Sequence, residues 1–187
     1  MKWFIINIFL CLLNISLIAQ DCGVERWSIK TLSDPDTVKI TFSKIVESTI
    51  HKQVSLERPK IIRNKRHESE SIVYKINCSI VGFKRESGDQ DIHVILEDDE
   101  TEETMVAEIP SHKCSSIQKT SRKTLFFDLG KWFVKNIGYP SNKFVYLKKH
   151  IPLKITGRGF FDYVHGQIGM SSNGREIHPV LSISKQK

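Results

Sequence analysis

The chain has 187 residues, a length that suits one domain with one hydrophobic core. Its 28 lysines and arginines outnumber 21 acidic residues, which gives a net charge of +7. This charge favours polyanions at low salt without requiring one, and no segment after the first twenty residues is long and apolar enough to span a membrane.

Residues 1–19 have the layout of a secretory signal peptide. Lys2 gives a basic start, an apolar run follows, and Ala19 is the small residue before the expected cleavage site. A membrane anchor is the alternative, but the run is short for a span of about 20 residues and contains two asparagines. We therefore expect an exported protein, periplasmic or secreted. Its mature chain, residues 20–187, keeps 27 basic and 21 acidic residues, a net charge of +6.

Three cysteines remain after cleavage, which fits one disulfide and one thiol in an oxidising compartment. Cys78 lies in the apolar run YKINCSIVGF, where a thiol packs like a small hydrophobic residue. Cys22 and Cys114 both lie in polar, loop-like surroundings. We therefore expect a Cys22–Cys114 disulfide that ties the mature N-terminus to the middle of the chain. The cysteine spacing does not resemble a zinc site.

An N-terminal extension, residues 20–70, precedes the main body of the domain. Alternating apolar residues predict a short strand over residues 38–42, and a second short strand is expected within residues 49–56. Residues 58–70 are a basic, polar connector, which we interpret as a solvated loop against the alternative of a phosphate contact.

The main body, residues 71–184, has the element order of a small barrel. The predicted elements are strands over 72–84, 91–97 and 105–109, a helix over 115–138, a linker over 139–150, and strands over 151–161 and 176–183. A helix between strands three and four is the arrangement of an OB-fold. The expected class is mainly β with one helix (α+β), an OB-fold-like five-stranded Greek-key barrel with N-terminal extra strands. Another small α+β barrel is the alternative.

The second and third strands of this body allow a register to be predicted. If Glu97 pairs with Thr104 across the acidic turn, His93 lies directly opposite Glu108 on the same face. A slip of one residue would bury the wrong side chains. A histidine facing a glutamate is either a cross-strand ion pair or part of a catalytic pair, and both interpretations stay open.

The stretch GRGFFDYVHGQIGMSSNGREIHPVL, residues 157–181, concentrates further polar side chains. The candidate polar site combines histidines, carboxylates and an amide: His93, Glu108, Asp162, His165, Gln167, Glu176 and His178. These are metal-ligand and acid–base types, although no compact motif such as HExxH joins them. A common site requires His93 and His178 to lie within about 10 Å of each other. The alternative is a buried polar network that braces a glycine-rich loop.

Three further side chains are candidate ligand contacts. Arg122 and Arg158 carry the charge that an anionic ligand would need. Phe161, next to Phe160, could offer a stacking surface for a base or a sugar.

Four segments carry a resemblance that covers most of the mature chain. They are CGVERWSIKT (residues 22–31), DIHVILED (91–98), TMVAEIPSHKC (104–114) and the stretch 157–181. They resemble an uncharacterised family of exported bacterial proteins with an OB-like barrel. The resemblance implies that fold, export and the Cys22–Cys114 pairing, and it supplies no activity. The closing EIHPVLSI also looks like the last strand of several OB proteins proposed to bind nucleic acid.

The sequence therefore supports three hypotheses about function. The first is an exported OB-fold binding module for nucleic acid or another polyanion, without enzyme activity or a cofactor. The second is a metal-dependent hydrolase, such as a phosphodiesterase or nuclease, with a divalent metal at the histidine and carboxylate set. The third is a structural interaction domain of the cell envelope. We expect a monomer with no membrane span in the mature protein.

Overall fold

A computed structural model describes residues 22–23 and 25–186. Its strands are β1 (Ile45–Ser48), β2 (Val73–Arg85), β3 (Ile92–Glu97), β4 (Thr104–Ile109), β5 (Val145–Phe161) and β6 (Arg175–Lys185). Its α-helices are α1 (Trp27–Lys30), α2 (Ile50–Val54), α3 (Ser115–Gln118) and α4 (Lys123–Asn136). The predicted signal peptide lies outside the described residues. Within them, none of the helices has the length and apolar character needed to cross a membrane.

The expected mixed α+β class is confirmed, and its main element is one six-stranded sheet. The strands are hydrogen-bonded in the order β1-β2-β3-β4-β6-β5, and β5 pairs in addition with β2. The pairs β1–β2 and β4–β6 are parallel, whereas the other pairs are antiparallel. This order places β3, β4 and β6 side by side, so that polar side chains from distant parts of the chain can meet.

The predicted register between β3 and β4 is confirmed. Glu97 pairs with Thr104, and His93 pairs with Glu108. One face of both strands packs into the hydrophobic core against α4. The other face is buried as well, because the loop of residues 162–174 covers it: an added Cβ at Gly169 would lie only 2.5 Å from Ile95 Cγ1.

Helix α4 packs on the hydrophobic core with its apolar face, as the spacing of its apolar residues predicts. Phe126, Leu129 and Phe133 recur at i, i+3 and i+7 and are buried. The ring of Phe133 packs edge-on against Phe83 of β2, with 5.2 Å between the ring centroids.

The predicted strand over residues 38–42 is wrong. A 3-10 helix occupies Pro35–Lys39, because proline at its first position fixes a φ that suits a helical turn. Val38, which the alternating pattern would turn inward, is 88% exposed.

The second N-terminal strand, expected within residues 49–56, is also wrong. These residues form α2, because the side chain of Thr49 caps the helix by accepting a hydrogen bond from the backbone N–H of Lys52. The extension contributes instead β1, which pairs with the start of β2.

Two other boundaries differ from the prediction. The single helix over 115–138 is divided into α3 and α4, because the hydroxyl of Thr120 bonds to the carbonyl of Ile117 and accepts from the N–H of Arg122. The linker over 139–150 is shorter than expected. β5 begins at Val145, where backbone pairing with β2 continues past a register shift.

Candidate functional site

A row of three polar side chains crosses β3, β4 and β6. His93 on β3 is paired with Glu108 on β4, and the β4–β6 register of Ala107 with Ile177 places His178 beside Glu108. Both histidines contact the same carboxylate. Nδ1 of His93 lies 2.9 Å from Oε1 of Glu108, and Nδ1 of His178 lies 3.0 Å from Oε2.

His93 has acceptors at both ring nitrogens. Its Nδ1 faces Glu108, and its Nε2 lies 3.1 Å from the carbonyl oxygen of Ile168 in the covering loop. Burial lowers the pKa of His93, but Glu108, the Ile168 carbonyl and Glu86 outweigh it, so that the pKa is raised above its ordinary value. The protonated ring can donate to both acceptors.

His178 is completely buried among three carboxylates. Its Nε2 lies 3.3 Å from Oδ2 of Asp91, and its Nδ1 lies 3.6 Å from Oε2 of Glu176 as well as near Glu108. These are ion-pair distances without good hydrogen-bond geometry, since neither ring nitrogen has a hydrogen-bond partner. Burial lowers the pKa of His178, but the three carboxylates raise it well above its ordinary value.

The carboxylates divide into two classes. Burial raises the pKa of Glu108, but His178, His93 and Lys30 outweigh it and hold that pKa well below its usual range. Burial also raises the pKa of Asp91 and of Glu176, and His178 offsets this only in part, so that each lies at about 7. The pKa values of two buried carboxyl groups therefore lie near neutral pH, beside a third carboxyl group whose pKa is depressed.

Lys30 joins the cluster from the N-terminal segment. Its Nζ lies 3.1 Å from Oδ2 of Asp162, and both side chains are buried. Burial lowers the pKa of Lys30, but Glu108, Glu176 and Asp162 outweigh it and raise the pKa above its ordinary value. The lysine is therefore a fixed positive charge beside the carboxylates.

The Cys22–Cys114 disulfide, predicted from the sequence, holds this segment in place. The two Cα atoms are 5.4 Å apart, although the two residues are 92 positions apart in the sequence. The indole N–H of Trp27 donates to the hydroxyl of Ser116 at 2.7 Å, which fixes α1 beside α3. Cys78 is a buried free thiol, as expected.

Glu108, Lys30 and Asp162 connect the cluster to a cavity of about 510 Å³, a size typical of sites for small ligands. Its lining is strongly acidic: Glu25, Glu86, Asp89, Glu108 and Asp162 face it together with Lys30, His165 and Gln167. The wall beside them comes from the disulfide-tied segment at Cys22, Gly23 and Trp27. An acidic cavity attracts cations and repels phosphates.

Three groups of side chains in the described part of the chain could hold a metal ion. They are Asp91–Glu108–His178, Glu86–His93–Glu108 and Glu25–Asp162–His165, and within each group one ligand atom per residue lies within 4.8 Å of the others. The first group is fully buried and the third is largely exposed. In the first, Oδ2 of Asp91 is buried without a hydrogen-bond partner, and so are both carboxylate oxygens of neighbouring Glu176. These residues fit a divalent cation, which would compensate such oxygens.

The structure brings together four of the seven predicted site residues around one carboxylate: His93, Glu108, Glu176 and His178. His93 and His178 meet the distance requirement, because both contact Glu108. Asp162 joins them through Lys30, and His165 and Gln167 line the cavity.

Sequence reasoning missed two members of the site. Asp91 immediately precedes β3, where its polar character and its place before His93 were a usable signal. Lys30 offered none, because it is one of many lysines and reaches the site only through the fold.

The three candidate ligand contacts lie away from the cavity. Arg158 is completely buried, and Arg66 and Arg175 are among the charges that act on it. Phe161 is buried beneath the guanidinium of Arg175, 4.6 Å from its ring centroid. Arg122 stacks on Phe42 at 4.0 Å.

Comparison of the chain with family models, with curated proteins and with solved structures gave no match.

Proposed function

We propose that the protein is a divalent-metal-dependent hydrolase whose metal is held by Asp91, Glu108 and His178. The observation that supports this most is the meeting of these three ligand types within 4.8 Å at full burial, below an acidic cavity. Buried carboxylate oxygens without a hydrogen-bond partner are costly, and a bound cation would offset that cost.

The three ligand residues restrict which metal ions the site can bind. Two carboxylates and one imidazole suit zinc, manganese or iron, whereas calcium and magnesium prefer oxygen ligands alone. Three protein ligands leave a position for water or substrate, as catalytic zinc sites do.

The surrounding residues have the properties of catalytic groups. A bound divalent metal supplies a water of lowered pKa. Glu176 lies beside His178, and burial raises its pKa to about 7, which suits a general base near neutral pH. Lys30 supplies positive charge where negative charge would develop on a reacting carbonyl.

The charge of the cavity favours a neutral or cationic substrate, such as an ester, an amide or a basic peptide. Five acidic residues against one lysine would repel a phosphodiester. Binding of nucleic acid or another polyanion is supported by the net charge of the mature chain alone, and it would need another surface.

We infer that the fold is an OB-like barrel, and such a fold is compatible with the proposed function. The pairing order β2-β3-β4-β6-β5, with β5 returning to β2 and α4 between β4 and β5, supports that assignment. Export to an oxidising compartment is supported by the disulfide.

The test is metal content and hydrolysis by the purified mature protein. We expect about one zinc or manganese ion per chain by elemental analysis after dialysis. We also expect chelator-sensitive hydrolysis of at least one nitrophenyl ester or aminoacyl nitroanilide, with no cleavage of bis-nitrophenyl phosphate.

The variants Glu108→Gln and His178→Gln should lose the metal and the hydrolysis together, with circular dichroism to verify folding. His150→Gln is the matched control, because His150 is half-exposed and pairs with Glu97 on the surface. A metal content no higher than in Glu108→Gln would refute the metal site. Bound metal with no hydrolysis of any ester or amide would refute the hydrolase.

A further inference from the structure

A second cavity, of about 500 Å³, lies between α4, the start of β3 and the end of β4. We call it the α4 groove. It shares no lining residue with the acidic cavity, and the proposed hydrolase does not use it.

The floor of the α4 groove includes two apolar side chains on a second side of the helix. Phe127 and Val134 lie seven residues, about two turns, apart and line the groove. Phe127 is 41% exposed and Val134 is 43% exposed. Neither is needed for the hydrophobic core, because other residues of α4 form its core-facing side. A helix on the surface of a globular protein normally carries polar residues there, and exposed apolar side chains beside a groove are a feature that binding surfaces share.

The rim of the α4 groove is basic. All charged residues in its lining are cations, namely Arg85, Lys113, Lys131 and Lys135. The positive charge of the rim affects His112, which also lines the groove. Burial lowers the pKa of His112, and Lys113 and Arg85 lower it further.

We propose that the α4 groove binds a small amphipathic carboxylate with a long apolar chain. The chain would lie on Phe127 and Val134, and the carboxylate would face the lysines of the rim. The volume of the groove lies in the range of small-molecule sites. The absence of acidic groups among its lining residues selects against a cationic amphiphile.

Dodecanoate, below its micellar concentration, is a suitable probe. Trp132 lines the groove, and Trp27 is the other tryptophan of the mature chain. We expect saturable binding of one dodecanoate by calorimetry, with a change in tryptophan emission that Trp132→Phe removes. Dodecyltrimethylammonium should not bind.

Two charge reversals locate the site. Lys131→Glu with Lys135→Glu should weaken dodecanoate binding by about tenfold or more. Lys148→Glu with Lys149→Glu is the matched control, because these exposed lysines on β5 lie outside the groove, and it should bind like the wild type. Val134→Asp should also weaken binding, since it places a carboxylate in the floor without touching the core.

Either of two results would overturn the proposal. The first is that the protein shows no saturable dodecanoate binding. A protein that binds acidic amphipathic peptides but not dodecanoate would be such a result. The second is binding that is the same in the groove variants and in the control, which would place the ligand elsewhere.

Discussion

Lys30 and Asp162 form a buried ion pair across 132 residues of sequence, with Nζ 3.1 Å from Oδ2. The lysine ends α1, next to the disulfide, and the aspartate begins the loop of residues 162–174. The pair therefore joins two segments of the chain that both line the acidic cavity.

Removal of the lysine charge should be costly. Lys30→Met leaves Asp162 buried without its cation, and we expect a loss of about 3–5 kcal/mol in the free energy of unfolding, measured with urea. Lys39→Met removes a lysine that pairs with Asp36 on the surface, and it should change stability little. Equal stability of the two variants would contradict a structural role for the Lys30–Asp162 pair.

Local and neighbouring-strand features of the fold were predictable from the sequence. The β3–β4 register follows from alternation on both sides of one acidic turn, so that the amino-acid pattern alone matches His93 with Glu108. The N-terminal extension was not predictable in this way. A proline at the first position of a turn and the cap at Thr49 outweigh a short alternating pattern.

The site itself was predictable only in part. The nearness of His178 to Glu108 depends on the parallel pairing of β4 with β6, strands that lie far apart in the chain. The position of Lys30 depends on a helix of four residues, which is too short to show a periodic pattern in the sequence. Arg158, which resembled a ligand contact, is buried in the fold, because residue type alone does not report the direction of a side chain.

The metal-free protein should lose stability as the pH rises. Burial raises the folded-state pKa of Asp91 and of Glu176 to about 7, above their unfolded values near 4. The folded state therefore binds more protons than the unfolded state between about pH 4 and pH 7, and its stability falls across that window by on the order of a few kcal/mol.

His178 acts in the same direction, because its raised folded-state pKa contributes stability that is lost as the pH rises through that pKa. Glu108 has a depressed pKa, so its contribution to stability is lost as the pH falls, and this opposite trend is confined to acid conditions. Urea midpoints at pH 5, 6, 7 and 8 in the presence of a chelator measure this slope. Glu176→Gln should flatten it, and a slope unchanged in that variant would contradict the assignment to Glu176.

The disulfide should stabilise both the fold and the acidic cavity. It closes a segment of 92 residues, and Cys22→Ser with Cys114→Ser should lower the free energy of unfolding by about 2–5 kcal/mol. The variant should also bind metal more weakly, because Lys30 and the cavity wall lose their anchor.

Thiol counting gives an independent check of the pairing. In a folded protein of residues 20–187, Cys78 should stay unlabelled, because the thiol is buried and burial raises its pKa. Unfolding without reductant should expose one thiol, and unfolding with reductant should expose three. Three thiols without reductant would contradict the disulfide.

Gly169 should be required for the loop that covers β3. Its φ of +79° is disfavoured for other residues, and an added Cβ would lie 2.5 Å from Ile95 Cγ1. Gly169→Ala should therefore cost about 1–3 kcal/mol in the free energy of unfolding. Because Ile168 precedes it, the variant should also weaken the hydrogen bond from His93, and the pKa of His93 measured by NMR should fall.

Gly130→Ala, at an open position inside α4, is the control and should instead stabilise the protein by about 0.5–1 kcal/mol. A Gly169→Ala protein with wild-type stability and an unchanged His93 pKa would show that the loop does not position His93.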